Sequence, residues 1–225
     1  MNIAEKIARA KTDYDEVYDA GRVKGKQITN QYFTDTYQEK GERTVYSRAF
    51  CGPGWTDELY ALMSYPIKPT ISYQMFYNSN LTNVCNVDFS KSTNLQKIFT
   101  SCPFLNQIGV IDARNCNDLE YAFEYAKKLH TIWKIIVNKN CKFKGTFHDC
   151  RSLVYCIMEG EIGNDIDFGD CPLLSGESLE SIFSVLSKTT SGKTLTLNYN
   201  AQYQFTGERW LTLINSVSNW TISVR

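Results

Sequence analysis

From residue 76 onward, hydrophobic residues recur along the chain with a period in the low twenties. A leucine follows each phenylalanine of the series by five or six residues, and a small residue lies between the two. Val, Ile or Cys stands three residues after each of the first four leucines. The phenylalanines have spacings of 23, 24, 24 and 21 residues: Phe76, Phe99, Phe123, Phe147 and Phe168. The register Phe-x-x-small-x-x-Leu-x-x-Ile indicates a structural repeat.

This period is too short for two packed helices, but it fits one strand, a turn and a short return. One such unit cannot bury its own hydrophobic residues, whereas stacked copies can, with their strands paired in parallel. The segments that begin at the repeat leucines are the predicted strands: 81–87, 105–111, 129–137 and 153–158. The predicted fold class is therefore α/β, a solenoid with a parallel β-sheet.

A different pattern follows the repeats and is typical of a capping region. Leu179, Ile182 and Phe183 have helical spacing behind Ser175, a candidate N-cap residue. Alternation then predicts strands at 194–197 and 220–224, and between them the residues around Trp210 form a predicted second helix. We expect this helix-strand-helix-strand series to continue the sheet and cover its open end.

The first 48 residues are rich in charge and contain no Pro or Cys. One stripe of apolar or small residues fits a helix that precedes the solenoid, and its spacing also matches a heptad seam. Two interpretations stay open, an amphipathic helix that packs on its own domain and a helix that anchors or oligomerises. The second interpretation assigns the oligomerisation contacts to Ile3, Ile7, Ala10, Tyr14 and Val17.

Pro and Gly then mark a connection, so the predicted organisation has three parts. Residues 1–48 form the helical anchoring or oligomerisation segment, and 49–70 form a linker. Residues 71–225 form the solenoid with its C-terminal capping helices and strands.

Composition narrows the partners and the location. The 24 Lys and Arg balance the 24 Asp and Glu, so the basic excess typical of nucleic-acid binding is absent. No stretch approaches the roughly 20 apolar residues of a membrane span, and no secretion signal opens the chain. We therefore expect a protein that is made in the cytoplasm and does not insert into membranes. Its eight cysteines are then expected to be reduced structural thiols, because several share repeat positions.

Catalytic and metal-binding motifs are scarce. The chain has two histidines, no Gly-x-Ser-x-Gly elbow and no Cys-x-x-Cys pair. We predict no enzyme activity, no metal and no cofactor, and an enzyme built from unremarkable residues is only a third option.

The candidate ligand-binding residues lie on the predicted strands. Trp133 stands between Ile132 and Lys134, so alternation places its ring away from the core. With Gln107, His130 and Tyr155 it would form an amphipathic patch suited to protein or glycan recognition. Two alternatives remain: Trp133 packs under the N-terminal segment, or the strand register is shifted by one residue.

The repeat resembles the BspA-type leucine-rich repeat, in which copies read approximately Met-Phe-x-x-Cys-x-x-Leu-x-x-Ile-x-x-Ile-Asp. The matching segments are Met75-Phe76, Ile98 to Leu105 with Ile108 and Ile111-Asp112, and Phe147 to Leu153. The third copy departs, with Ala126 and Ile136 in place of Cys and Asp. The opening residues 3–21 also resemble the helix that precedes such repeats in proteins of phages and prophages of gut Firmicutes.

This resemblance implies a leucine-rich-repeat-like solenoid and an interaction role, with no catalytic residues to carry over. The expected function is a non-enzymatic binding module that recognises a protein or glycan and is associated with a phage tail or a cell surface. A bacterial surface or intracellular protein-interaction repeat protein is the alternative. The expected partners are a protein or a cell-surface glycan, and a second copy of the chain through the N-terminal helix; assembly into a virion would follow synthesis in the cytoplasm.

Overall fold

The computed structural model describes residues 46–57, 67–85 and 87–225. This part of the chain has the predicted α/β class, with two parallel sheets and few helices. Its elements, in chain order, are β1 (Asn83–Val84), β2 (Gln107–Ala113), β3 (Thr131–Val137), β4 (Tyr155–Gly160), β5 (Ile166–Phe168), α1 (Gly176–Val185), β6 (Lys193–Leu197), α2 (Gly207–Asn215) and β7 (Trp220–Val224). The predicted N-terminal helix, with Ile3, Ile7, Ala10, Tyr14 and Val17, lies outside the described residues, and its role stays a prediction.

The predicted Leu-x-x-Ile segments form a four-stranded parallel sheet in the order β1-β2-β3-β4. Equivalent positions of successive copies are in register, as in the series Val84, Ile108, Ile132 and Cys156, all of them buried. The repeat leucines that precede these strands are buried as well. The period therefore places one copy beside the next at the spacing of paired strands.

The repeat phenylalanines form a continuous stack inside the molecule. Ring centroids of successive copies are 5.2 Å apart from Phe76 to Phe99, 6.0 Å from Phe99 to Phe123 and 5.4 Å from Phe123 to Phe147. The stack starts one copy before the first predicted repeat, because Phe50 lies on Phe76 with centroids 5.4 Å apart. Residue 50 belongs to the predicted linker 49–70, yet its ring is fully buried.

The backbone around the phenylalanines from Phe50 to Phe147 repeats one unusual conformation. Positive φ occurs two residues before and two residues after each of these rings, at Lys97 and Ser101 in the copy that contains Phe99. Lys97, Phe99 and Ser101 each donate a backbone hydrogen bond to a carbonyl of the next copy, with lengths of 3.0, 2.8 and 2.8 Å. These turns thus hold neighbouring copies together on the side opposite the sheet, where an ordinary strand ladder is absent from the described residues.

The C-terminal series does not continue the four-stranded sheet as predicted. Helix α1 begins after the Ser175 N-cap, as expected, but it lies beside β4 in the place of a fifth strand. The following strands form a separate parallel sheet in the order β5-β6-β7. The reason lies in the hydrogen bonds at the edge of β4: Ser178 Oγ accepts from the Cys156 N–H at 2.9 Å, and Ser181 Oγ accepts from the Met158 N–H at 3.1 Å. Side-chain hydroxyls of a helix thus replace the carbonyls of another strand.

Candidate functional site

The outer face is the solvent-exposed side of the four-stranded sheet, with Asn83, Gln107, Val110, Trp133 and Tyr155. Its side chains belong to strand positions that alternate with the buried ones. Asn83, Gln107, Thr131 and Tyr155 are in register across the four strands. One row of the face therefore carries two amides, a hydroxyl and a phenol side by side.

Trp133 projects from the middle of this face. Its side chain is 53% exposed, so within the described residues the ring is not packed into the core. The pairing of β3 with β4 shifts between Ile132 and Ile135, where two residues of β3 lie opposite one of β4. This bulge leaves both Trp133 and Lys134 accessible while Ile132 and Ile135 stay buried.

Trp133 and Tyr155 form an aromatic pair on neighbouring strands. Their ring centroids are 5.8 Å apart with an interplanar angle of 67°, an edge-to-face arrangement. The Tyr155 hydroxyl also lies 3.5 Å from Oε1 of Glu177, in the first turn of α1. The phenol is thus positioned between the indole and the helix that closes the sheet, which restricts its rotamers.

The other two predicted residues lie on the same side of the molecule without joining this pair. Gln107 is half-buried and separated from Tyr155 by β3, with Thr131 between them. His130 is exposed just before β3, and its Nδ1 lies 3.0 Å from the Thr131 hydroxyl. Its carbonyl accepts backbone hydrogen bonds from Val154 and Tyr155 at 3.0 and 3.1 Å. The structure therefore brings together Trp133 and Tyr155 directly, and places Gln107 and His130 at the periphery.

Three further features surround the predicted residues. Val110 is 52% exposed because β2 turns two consecutive residues outward, as β3 does. Ile108 pairs with Ile132 and Val110 pairs with Lys134 on the neighbouring strand, so Gly109 stands opposite Trp133. The glycine adds no side chain beside the indole. Phe104 is exposed before β2, with Lys128 Nζ 5.0 Å from its ring centroid. Phe104 and Lys128 each stand directly before a repeat leucine, and this shared position was the sequence signal that could have predicted their contact.

Charged groups near the outer face are paired with one another. Lys134 Nζ lies 2.5 Å from Glu159 Oε1 on the neighbouring strand. Arg114 binds the Asp112 carboxylate through two nitrogens, and its hydrogen bonds hold the pKa of Asp112 below the usual range. These ion pairs balance charges beside the outer face, and the Glu177 carboxylate next to Tyr155 adds a negative charge there.

A concave feature of the described part of the chain lies elsewhere. A groove of about 470 Å³ separates Lys142–Gly145 from β5 and β6. Its acids have partners: Asp165 accepts from the Thr194 N–H at 2.7 Å, and Asp167 accepts from Gly169 and pairs with Arg225. No cluster of three or more His, Cys, Asp and Glu side chains in the described residues could hold a metal ion. Nor is any described helix long and apolar enough to cross a membrane.

Searches against protein-family models, curated proteins and solved structures found no match to this chain. The functional interpretation therefore depends on the geometry of the outer face and on the repeat itself.

Proposed function

We propose that this protein is a non-enzymatic recognition module, a leucine-rich-repeat-like solenoid that binds its partner through the outer face of the four-stranded sheet. One observation carries the proposal, the exposed Trp133 ring held edge-to-face by Tyr155. Exposing an indole to water forgoes roughly 2 kcal/mol of burial free energy, and aromatic residues are enriched among the dominant contacts of interfaces. The rigid parallel sheet beneath would keep the ring in place before binding, which lowers the entropy cost of association.

The proposed BspA-type relationship and the location in a phage tail or on a cell surface rest on the sequence resemblance. Three thiols of the repeat add a physical reason for the Cys position. Cys102, Cys150 and Cys171 direct their Sγ toward the phenylalanine carbonyl of the preceding copy, at 3.0, 3.1 and 3.8 Å. Genes for tail or baseplate proteins beside this one would support the virion location, whereas a sortase or export locus would favour the alternative, a bacterial surface protein.

A binding screen with matched variants tests the recognition proposal. The purified full chain is applied to arrays of glycans and of bacterial surface proteins, beside the variants Trp133→Ala and Tyr203→Ala. Tyr203 is 65% exposed but lies outside the four-stranded sheet, so it controls for the loss of any accessible aromatic ring. We expect a specific signal that Trp133→Ala weakens at least about tenfold and Tyr203→Ala leaves unchanged. Equal binding by all three proteins, or no specific signal from the wild type, would contradict the proposal.

A further inference from the structure

The chemistry of the outer face distinguishes between kinds of partner. Around the aromatic pair, the polar groups are neutral amides and hydroxyls that both donate and accept hydrogen bonds: Asn83, Asn106, Gln107 and Thr131. Of the charged side chains at its margin, Lys134 is paired with Glu159, whereas the Glu177 carboxylate lies beside the Tyr155 hydroxyl. The face therefore offers mainly neutral hydrogen bonds, and the carboxylate beside Tyr155 disfavours an anionic partner.

The surface beside Trp133 is open on one side. Tyr155 packs against the indole from β4, whereas Gly109 stands opposite it on β2 and contributes no side chain. Local backbone strain does not require this glycine, because its φ lies outside the positive region. A Cβ at this position would meet Cys85 Cα at 3.4 Å and Cys85 Cβ at 3.7 Å, which are ordinary contacts. On the β2 side, Trp133 is thus flanked by a residue without a side chain, and Cys85 lies next to that residue.

A sugar ring has the complementary chemistry. One face of a pyranose presents C–H groups that pack on an aromatic ring, and its edge carries hydroxyls that donate to and accept from amides. A protein interface of standard size instead uses about 20–30 residues on each side around a desolvated apolar centre. The outer face has one half-exposed tryptophan ring beside a row of neutral polar groups, which favours the glycan.

We propose that the outer face binds a neutral glycan, one of whose rings stacks on Trp133 above Gly109 while Gln107 and Thr131 hydrogen-bond its hydroxyls. This inference rests on the proposed function, since it names the ligand class of the same surface. It requires no metal and no charged group on the sugar.

The test measures binding of the full chain to soluble neutral oligosaccharides of hexose, N-acetylhexosamine and deoxyhexose units, with sialylated and sulfated counterparts as controls. Acrylamide quenching provides the readout, because Trp133 is the most exposed tryptophan: Trp55 and Trp220 are buried and Trp210 is half-buried. We expect at least one neutral oligosaccharide to protect Trp133 from quencher. Gly109→Val should weaken that binding at least about tenfold with little change in melting temperature, and Gly109→Ala should weaken it less.

Cys85 gives a second, independent probe of the surface beside Trp133. It is exposed directly after β1 and next to Gly109, and a bulky maleimide on its thiol would cover the proposed sugar position. Labelling should abolish oligosaccharide binding, while Cys85→Ser should bind normally and resist the reagent.

The outcomes separate this inference from the proposed function. Binding of a protein that Trp133→Ala abolishes, with none of the neutral oligosaccharides bound, would overturn the glycan inference and leave the recognition surface standing. Tighter binding of sialylated or sulfated glycans than of neutral ones would also overturn it. Oligosaccharide binding that neither Trp133→Ala nor Cys85 labelling affects would overturn both.

Discussion

Single buried thiols help to set the distance between neighbouring copies. Each of the three shared Cys positions places a sulfur beneath the phenylalanine turn, where it approaches a carbonyl of the preceding copy. Burial raises the pKa of Cys102 to about 11 and that of Cys156 to about 12, because a thiolate would lose its hydration there. The sequence could predict that these cysteines are structural, since they share a repeat position; it could not show the carbonyl they approach.

Thiol reactivity should therefore differ sharply between the folded and unfolded chain. Seven of the eight cysteines are buried and only Cys85 is exposed. With a thiol-disulfide reagent at pH 8 we expect one equivalent to react quickly in the native protein and all eight in guanidinium. Cys85→Ser should remove the fast phase. Any equivalent that still reacts quickly in the folded Cys85→Ser variant would show that a buried cysteine is accessible to the reagent.

At the scale of elements, the molecule replaces a strand with a helix where its first sheet ends. The Ser178 hydroxyl accepts from the buried Cys156 N–H and is itself buried, so its loss leaves a donor without a partner. Ser178→Ala should lower the free energy of unfolding by about 1–3 kcal/mol. Ser184→Ala is the matched control, because Ser184 lies on the same helix but is exposed, and we expect a change below about 0.5 kcal/mol. Urea unfolding measures both, and equal losses would argue against this role of Ser178.

Two glycines with positive φ separate backbone strain from steric clash. A Cβ at Gly160 would lie 2.0 Å from the Val137 carbonyl oxygen on the neighbouring strand, whereas nothing lies within 4 Å of one at Gly192. Gly192→Ala should cost about 1–2 kcal/mol, the usual penalty for a left-handed residue with a side chain. Gly160→Ala should cost at least about 2 kcal/mol more, since β3 and β4 must move apart. Thermal and urea unfolding measure both variants, and equal stability would contradict a steric clash at Gly160.

The elements also show how far the sequence pattern reaches. The period located the strands of the first sheet, and the Ser175 cap located α1, because both patterns reflect burial and capping that act locally. The copy that contains Phe50 was missed, since its spacing to Phe76 is longer and Pro53 and its neighbouring glycines resemble a turn. Left-handed residues such as Lys97 and Tyr121 escape prediction because local preference reserves that conformation largely for glycine. In this protein, backbone hydrogen bonds to the next copy compensate for the unfavourable conformation.

For the whole molecule, exposed ion pairs make stability depend on pH. Hydrogen bonds from Ser90 to Asp88 and from Arg114 to Asp112 lower the pKa of both carboxyls, while burial raises that of Asp118. A lowered pKa contributes stability above the unfolded value of 3.8, and this is lost as the pH falls through the folded pKa. Asp118 acts in the opposite direction.

We therefore expect the free energy of unfolding to fall between pH 6 and pH 3, as measured by urea titration. Asp112→Asn should be less stable than the wild type at pH 6, and the difference should shrink as the pH falls below the unfolded value of 3.8, because the unfolded carboxyl then gains a proton before the folded one does. A difference that grows on acidification would show that Arg114 does not stabilise the ionised form of Asp112.

For the whole molecule, we propose recognition on one face of the four-stranded sheet, with Trp133 at its centre. That residue was predicted from alternation, but its edge-to-face contact and its open side at Gly109 depend on the strand register and the bulge, which three-dimensional packing sets. The four tryptophans lie in different regions: Trp55 before the first sheet, Trp133 on the outer face, Trp210 on α2 and Trp220 on β7. They can therefore report which surface a partner covers.

The most direct measurement uses the chain labelled with fluorotryptophan and its ¹⁹F spectrum, with the Trp133 signal assigned by its loss in Trp133→Phe. On addition of the binder selected on the arrays, we expect the Trp133 resonance to shift or broaden while the signals of Trp55, Trp210 and Trp220 stay in place. A spectrum in which Trp133 is unchanged and another tryptophan shifts would contradict the claim that the outer face is the recognition surface.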